Sequence, residues 1–540
     1  MGRTDLIITN ARVFDGSTVL ADVDTVAVTE GRISGVGAAA DYTGATAVET
    51  VDADGALLHP GFTDAHVHPA QAGIELLECD LSTAADGTEV LRRVGDYAAA
   101  HDDEWLIGAG WQLTHFDAGG PNAQMLDDVA RGRPVVLTDA GHHAVWLSSE
   151  AMRRMGIDRT TSDPADGWLS RDAGGNPSGL VHEGAMEIGR DRIPVPTPER
   201  VADGITEAQR VLFEVGVTGW QDAIVGDYAG SIDSTLGYHI AARDGRLRAR
   251  ATAALWLDRD AVDRDPREVA ASFVERRRRF ESVGDGLLTA PAVKVMLDGV
   301  VEARTAAMKE PYTDAPSAHA HFLPETLGPV AKELARAGFQ MHFHAIGDAA
   351  LAIALDVVAQ AHEAQRLSHH VAHLQIVDPA DIPRMADLGI TANLQMFWAC
   401  NDEQNVSHCR PALGDHRYLT TQFPFASFHR AGIPLAAGSD WPVTTPDPWA
   451  AIAVAVTRRL AGESEEPLAP EEAIPLEVAL AAYTSGSADI VRDVDGGRIA
   501  LGARADLALT NTDPFGLRAD ELHTVRTRAT WVGGVPVFSA

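Results

Sequence analysis

The sequence predicts an α/β fold, a (β/α)8 TIM barrel carrying a small composite β-sandwich domain, and three patterns predict it. Through the middle of the chain, amphipathic helices alternate with short apolar strands, the signature of a parallel α/β architecture. At both ends that alternation gives way to short β-rich runs separated by Gly and Asp turns. Several central strands carry a His, Lys or Asp at or near their ends, where barrels of this class gather functional groups.

With 540 residues the chain has room for one large domain and a smaller one. Residues 1–58 contain DLIITNARVF, DTVAVTEGRI and GALLHPG, which read as a small antiparallel sheet without a helix. The same style returns in residues 486–540, in GGRIALGARADLALTNTDPF and TRATWVGGVPVF. The two ends are therefore expected to complete one domain, which closely placed termini permit. Residues 59–485 hold the barrel. One unit is legible in detail: Thr197 and Pro198 make an N-cap and first-turn pair, and Val201, Ile205, Ala208 and Leu212 share a face before the strand-like GVTGW. Another starts at PETLGPVAKELARAG, where Leu327, Val330, Leu334 and Ala337 form a stripe and Gly338 stops the helix ahead of FQMHFHA.

Composition narrows the partners. With 44 Lys+Arg against 77 Asp+Glu the net charge is −33, a field that repels polyanions and argues against nucleic acid or an anionic membrane. A small-molecule substrate is expected instead. No apolar run reaches the ~18 residues of a membrane span. The opening MGRTDLIITNARVFDG lacks the apolar core of a signal peptide. Three irregularly spaced cysteines, Cys79, Cys400 and Cys409, suggest a reduced, cytoplasmic setting. A homodimer is the default oligomer on frequency alone.

Five segments carry the chemistry. In GFTDAHVHP, His66 and His68 stand two apart, so in a strand both imidazoles point to one side and can converge on one ion; an ordinary polar strand pair is the plainer reading. PAVKVMLDG places Lys294 in an apolar strand, where a buried ammonium is costly. A hidden salt bridge would explain it. So would a neutral amine that adds CO₂ and becomes a carbamate bridging two metals, and Lys is scarce enough here, at Lys294, Lys309 and Lys332 alone, to favour that. QMHFHAIGD offers His344, preferred over His342 because it is nearer the loop, and HHVAHLQIVD offers His373, preferred over His369 and His370. In LAAGSDWPV an apolar strand ends before Asp440, read as a metal ligand that also moves a proton. Together these give the N/O donor set of Zn²⁺ and similar ions.

With those motifs in hand, the chain resembles the amidohydrolase superfamily, most closely the amidohydrolase-3 group that includes N-substituted formamide deformylases. The resemblance runs from NARVFDG through GFTDAHVHP, VKVMLDG, ARTAAMKEPY, HFHAIGD, AHLQIVD and GSDWPV to GARADLAL and WVGGVPV. It implies that His66 and His68 end the first barrel strand, Lys294 the fourth, His344 the fifth, His373 the sixth and Asp440 the eighth. It also implies two divalent ions, Zn²⁺ or alternatively Mn, Fe or Co, a carbamate on Lys294, and hydrolysis of a C–N amide-type bond by metal-activated hydroxide. The group often has Glu before the sixth-strand histidine, where this chain has Ala372. A mononuclear deaminase and a non-catalytic scaffold are the alternatives.

More than two hundred residues separate His68 from Lys294, whereas three βα units need about 100. A long insertion between strands 1 and 4, roughly residues 75–190, is expected as a lid. Substrate contacts are expected from Trp111 and Trp441, from His142 by resemblance, with a structural loop histidine the alternative beside His143, and from Arg304, holding a carboxylate or the lid, and Gln395 as a hydrogen-bond donor, with a structural role the alternative for both. The aromatic Phe397, Trp398 and Trp441 suggest a partly apolar substrate, with ordinary packing the plainer reading.

Overall fold

The structure, a computed structural model, describes residues 4–117, 120–164, 167–228, 233–462 and 466–540. Its centre is an eight-stranded sheet in sequence order: β1 (Phe62–Val67), β2 (Val217–Val225), β3 (Arg250–Trp256), β4 (Leu288–Met296), β5 (Gln340–Ala345), β6 (His370–His373), β7 (Thr391–Leu394) and β8 (Leu435–Ala437). Every neighbouring pair is parallel. The ring closes just beyond the last ladder, where the Asp440 N–H donates to the His66 carbonyl at 2.7 Å and the Asn393 amide donates to the Ala65 carbonyl at 2.9 Å. This is a (β/α)8 barrel, and its strands are apolar because both their faces are covered.

Three helices show how sequence sets the packing: α1 (Pro69–Leu77), α2 (Pro198–Glu214) and α3 (Pro324–Arg336). Thr197 caps α2 by accepting from the Arg200 N–H at 3.3 Å, and Val201, Ile205, Ala208 and Leu212 are buried against the barrel. Glycine is required where α1 meets α2, because a Cβ on Gly73 would stand 1.8 Å from the Gly204 carbonyl oxygen. In α3 the stripe Leu327, Val330 and Leu334 is buried, and Gly338, at φ +82°, ends the turn in the left-handed region.

Between β1 and β2 the chain leaves the barrel and builds a six-stranded mixed sheet, in the order Gly167–Arg171, Pro177–Glu183, Ala144–Leu147, Val135–Asp139, Leu106–Trp111, Cys79–Asp80. Separate apolar clusters, one around Trp111 and Trp146 and the other around Leu147 and Ile157, hold it together.

The two ends of the chain pack as two sheets. One orders Arg32–Gly37, Thr25–Thr29, Thr4–Thr9 and Ala47–Asp52, and the other Arg12–Val13, Leu57–Pro60, Leu507–Thr510, Thr527–Val532 and Val535–Ser539. Leu6, Ile8, Val26 and Val28 from the first share one core with Leu58, Leu507, Leu509 and Trp531 from the second. The expected antiparallel sheet is in fact mixed. Thr4–Thr9 runs parallel to Ala47–Asp52, and Arg12–Val13 parallel to Leu57–Pro60. Parallel neighbours need a long connection, which the hairpin Thr25–Gly37 and a short 3-10 turn at Ala39–Tyr42 supply, the latter in a region read as free of helix. Among the described residues no helix is long and apolar enough to cross a membrane.

Candidate metal centre

The C-terminal ends of β1, β4, β5 and β6 and the turn after β8 bring their polar residues together. Asp64, His66 and His68 alternate along β1 and beyond it, which points them to one side. The ligand atoms of His66, His68 and Asp440 lie within 4.8 Å of one another. Asp440 Oδ1 stands 3.1 Å from His68 Nε2 and 3.4 Å from His66 Nε2. Lys294 Nζ, from β4, is 3.5 Å from the same His66 nitrogen. His373 completes one wall, with ring centroids 4.8 Å from His66 and 4.4 Å from His344. All six residues expected as ligands thus surround one small volume. His373, at φ +78°, and Asp440, at φ +58°, adopt the left-handed conformation as their strands end, a strained setting for residues other than glycine.

Burial sets the electrostatics. It lowers His66 to about 3, helped by the Lys294 charge, and takes His373 well below its usual value. It lowers Lys294 to about 7 against the opposing pull of Asp440, which leaves a large share of uncharged amine at neutral pH. For Asp440 burial opposes ionisation, but the His66 and His68 imidazoles beside it more than offset that and hold the carboxyl well below its ordinary range. The result is a buried carboxylate, a neutral-leaning amine and the neutral imidazoles of His66 and His373 facing one another.

These donors fit a divalent cation. Imidazole nitrogens and a carboxylate oxygen converge, and the buried His373 Nδ1 has no hydrogen-bond partner among the described residues. The Lys294 amine, walled in beside His66, also fits the chemistry of a bridging carbamate, which needs an uncharged nitrogen.

Residues not singled out in the sequence hold the donors in place. Asp298, fully buried, accepts from the Ile346 N–H at 3.0 Å and from the Gly347 and Ala307 N–H groups at 2.8 and 3.0 Å, and lies 3.2 Å from His344 Nδ1. It stands in VKVMLDG, where a lone Asp ending an apolar run was the available signal. Asp64 accepts from the His66 and Ser439 N–H groups at 3.1 and 3.0 Å, tying β1 to the turn that carries Asp440. Both His342 and His344 matter: His342 Nε2 lies 2.8 Å from His66 Nδ1.

Of the expected substrate contacts, His142 reaches the mouth from the inserted unit, with Nδ1 2.9 Å from Gln71 Nε2 and Nε2 3.6 Å from a Glu75 carboxylate oxygen. Burial pushes Glu75 up to about 8, so it is largely protonated at neutral pH. Trp441 lies at the centre, nearly buried, and its carbonyl accepts from the His68 N–H at 2.9 Å. Three expectations need correction. Trp111 is fully buried in the inserted sheet's own core, its indole N–H donating to the Leu137 carbonyl at 2.9 Å, because that sheet needed large apolar side chains between its layers. Arg304 is committed to a two-pronged pair with Asp314, at 3.2 and 2.6 Å, and so holds a loop rather than offering a free cation. Gln395 is fully buried and accepts from the His373 N–H at 2.6 Å, which fixes that strand end instead of facing substrate. Trp398 is likewise support, stacked on the His373 ring at 5.1 Å and 8°.

A closed parallel barrel with a basic and acidic donor cluster at the C-terminal mouth defines a class of metal-dependent hydrolase folds. The sequence profile described as the Amidohydrolase family matches residues 49–538, and the chain belongs to that family. An N-substituted formamide deformylase of Arthrobacter pascens is 28% identical over 98% of each chain. Protein LONG AFTER FAR-RED 3 of Arabidopsis thaliana is 26% identical over 99% of this chain and 91% of its own. Among solved structures, an uncharacterized metal-dependent hydrolase from Pyrococcus horikoshii superposes with a TM-score of 0.74 at 22% identity, covering 95% of this chain and 99% of that one, which shows the shared fold.

Proposed function

We propose that the protein is a binuclear metal-dependent hydrolase that cleaves a C–N amide-type bond, whether amide, formamide, carbamate or cyclic amide, in a small, partly apolar molecule. The observation that carries this reading is the convergence of His66, His68 and Asp440 within 4.8 Å, with Lys294, His344 and His373 around them. Similarity to a formamide deformylase over the whole chain supports the bond class. His66, His68 and Asp440 would hold one ion, His344 and His373 the other, with carboxylated Lys294 between them. Two such ions supply a Lewis acid for the carbonyl and lower the pKa of water toward ~7.

The chain's own groups do the rest. Asp440, kept ionised, takes a proton from the attacking water and returns it to the leaving nitrogen as the tetrahedral carbon collapses. Gln71, protonated Glu75 and His142 line the approach and can donate to substrate oxygen or accept from substrate N–H. A mononuclear reading has one observation in its favour, the tight His66, His68, Asp440 group, which can hold an ion without Lys294. Elemental analysis of purified protein, with hydrolysis of a panel of formamides and aryl amides, separates the readings. About two ions per chain with amide turnover supports the binuclear hydrolase; one ion with ammonia release from amino-substituted rings favours a deaminase; a metal-free, inert protein rejects both.

A further inference from the structure

The chain around β7 supplies none of the six donors, yet two of its side-chain amides are tied to the backbone beside two of them. Asn393 Nδ2 donates to the Ala65 carbonyl at 2.9 Å, Gln395 Oε1 accepts from the His373 N–H at 2.6 Å, and Gln395 Nε2 donates to Asn393 Oδ1 at 3.4 Å. Both side chains are wholly buried. A file of two amides therefore runs from the peptide that joins Ala65 to His66 in β1 to the peptide nitrogen of His373 in β6.

Backbone polarity fixes how both amides face. A peptide carbonyl only accepts and a peptide N–H only donates, so the Asn393 nitrogen must face Ala65 and the Gln395 oxygen must face His373. The two atoms that remain, an oxygen and a nitrogen, then meet as acceptor and donor. All four polar side-chain atoms have partners, and no titrating group enters the arrangement. The contacts stand where the barrel's own ladders give out. The ladder between β6 and β7 ends at Ala372 and Asn393, one residue short of His373, whose φ of +78° turns the chain out of the sheet. At the closing seam, β8 and β1 share no ladder among the described residues. The peptide between Ala65 and His66 is also held from its other side, where the His66 N–H donates to Asp64 Oδ1 at 3.1 Å.

We infer that Asn393 and Gln395 are positioning residues that set the spacing of His66 from His373, and through it the spacing of the two ion sites. The inference rests on the reading of those histidines as ligands of different ions. Their rings stand 4.8 Å apart between centroids. A positive φ in a residue other than glycine persists only where its surroundings hold it, and a buried N–H needs an acceptor; Gln395 meets both needs at His373. Without that oxygen the His373 peptide gains by turning to another acceptor, and the imidazole swings with it. Asn393 anchors the same pair to β1, so the two ligand-bearing strands keep one separation although β7 and β8 lie between them in the sheet.

The test uses the full chain with ¹⁵N-labelled histidine, chelator-treated for backbone amide spectra and reloaded with Zn²⁺ for retention. The His66 and His373 amide signals are assigned by comparison with His66→Gln and His373→Gln. Gln395→Met, similar in size but without an acceptor, is expected to move the His373 amide proton upfield and to weaken Zn²⁺ retention against a competing chelator about tenfold to a hundredfold. Asn393→Leu is expected to move the His66 amide nitrogen, whose peptide carbonyl loses its donor, and to weaken retention likewise. Gln395→Glu keeps an oxygen for the His373 N–H and is expected to recover that signal and most of the retention. A lowered thermal midpoint with Zn²⁺ held as in the wild type is what a merely structural pair would give, and it overturns the inference, as does an unmoved His373 amide in Gln395→Met. Should Gln395→Met not fold, Asn393→Ser carries the test, and an unmoved His66 nitrogen overturns the inference there. If the amide signals move as expected yet the wild type takes up no Zn²⁺, the metal assignment has failed while the amide pair still sets the backbone spacing.

Discussion

Two histidine-bearing regions of the molecule look alike by burial and differ in everything else. At the junction between the terminal sheets and the barrel, His59 packs on Phe62, with ring centroids 4.3 Å apart, and on Trp449, at 5.8 Å. Its Nδ1 lies 2.7 Å from the Pro60 carbonyl oxygen, its Nε2 has no hydrogen-bond partner among the described residues, and burial lowers it to about 4. At the barrel mouth His66 is just as buried, but Lys294, Asp440 and His342 all stand within 3.5 Å of its ring nitrogens. Burial makes both rings neutral; only the second is part of a donor set. Changes at the mouth should therefore alter chemistry and metal content, and changes at the junction should alter stability and its dependence on pH.

The largest effect expected is at Asp440. Asp440→Asn keeps shape and removes the proton acceptor, and turnover should fall about 10³-fold while the thermal midpoint moves little. Wild-type turnover in this variant would sink the role given to Asp440. Next comes Lys294→Met, expected to take metal content from about two ions toward one and to cost about 10²-fold in turnover. The same variant marks the mouth as expensive scaffolding. The Lys294 folded pKa of about 7 lies below the ~10.5 of the unfolded chain, so the unfolded state binds more protons between those values. Metal-free wild type should lose stability as pH falls from about 10.5 to 7, and the Met variant should lose less; equal slopes in denaturant titrations would show that Lys294 is not a buried, discharged amine.

The comparison also explains what the sequence disclosed. His66, His68, His344, His373 and Asp440 were legible because each is a polar residue at or near the end of an apolar run, and Lys294 because an ammonium stands inside one, patterns that chemistry explains better than packing. The alternation of helices and strands gave the barrel for the same reason that Val201, Ile205, Ala208 and Leu212 are buried: periodicity reports directly on which face is covered. Trp111, Arg304 and Gln395 were misread because a residue type does not say which way its side chain faces, and each had a local partner, Leu137, Asp314 and the His373 N–H, that outcompeted a substrate. Asp298 escaped notice because it acts on other protein groups, among them Ile346 and Gly347, across long sequence separations. The parallel pairing of Thr4–Thr9 with Ala47–Asp52 was hidden for a related reason, since strand patterning fixes the faces and not the direction of the neighbour.

A smaller effect is expected at the junction, and its sign is fixed. The folded pKa of His59 is about 4 against ~6.5 unfolded, so the unfolded chain binds the extra proton between those values and the native state loses stability as pH falls from 6.5 toward 4. Above 6.5 the residue contributes no pH dependence. His59→Asn, whose side-chain N–H can replace Nδ1 against the Pro60 carbonyl, should remove about 2 kcal/mol of the stability lost between pH 6.5 and 5. Urea unfolding at the two pH values reads this directly, and an unaltered difference would mean that His59 titrates normally. Metal content should be untouched, unlike at Lys294.

The smallest effect tests whether scaffold and mouth are separable. Thr197 sits at the start of α2, on the barrel's outside, and among the described residues its side chain satisfies only the Arg200 N–H. Thr197→Ala should lower stability by about 1 kcal/mol at every pH, because no titrating group is involved, and should leave ions per chain and kcat/KM unchanged. Yet α2 touches α1 through the Gly73–Gly204 contact, and α1 begins at Pro69, directly after His68. If fraying the first turn of α2 moved α1, His68 would move with it, and metal retention would drop along with stability. Rigid close packing at Gly73 and Gly204 argues for the first outcome: the cap lies more than a helical turn from that contact, and lost capping is absorbed within the first turn of a helix.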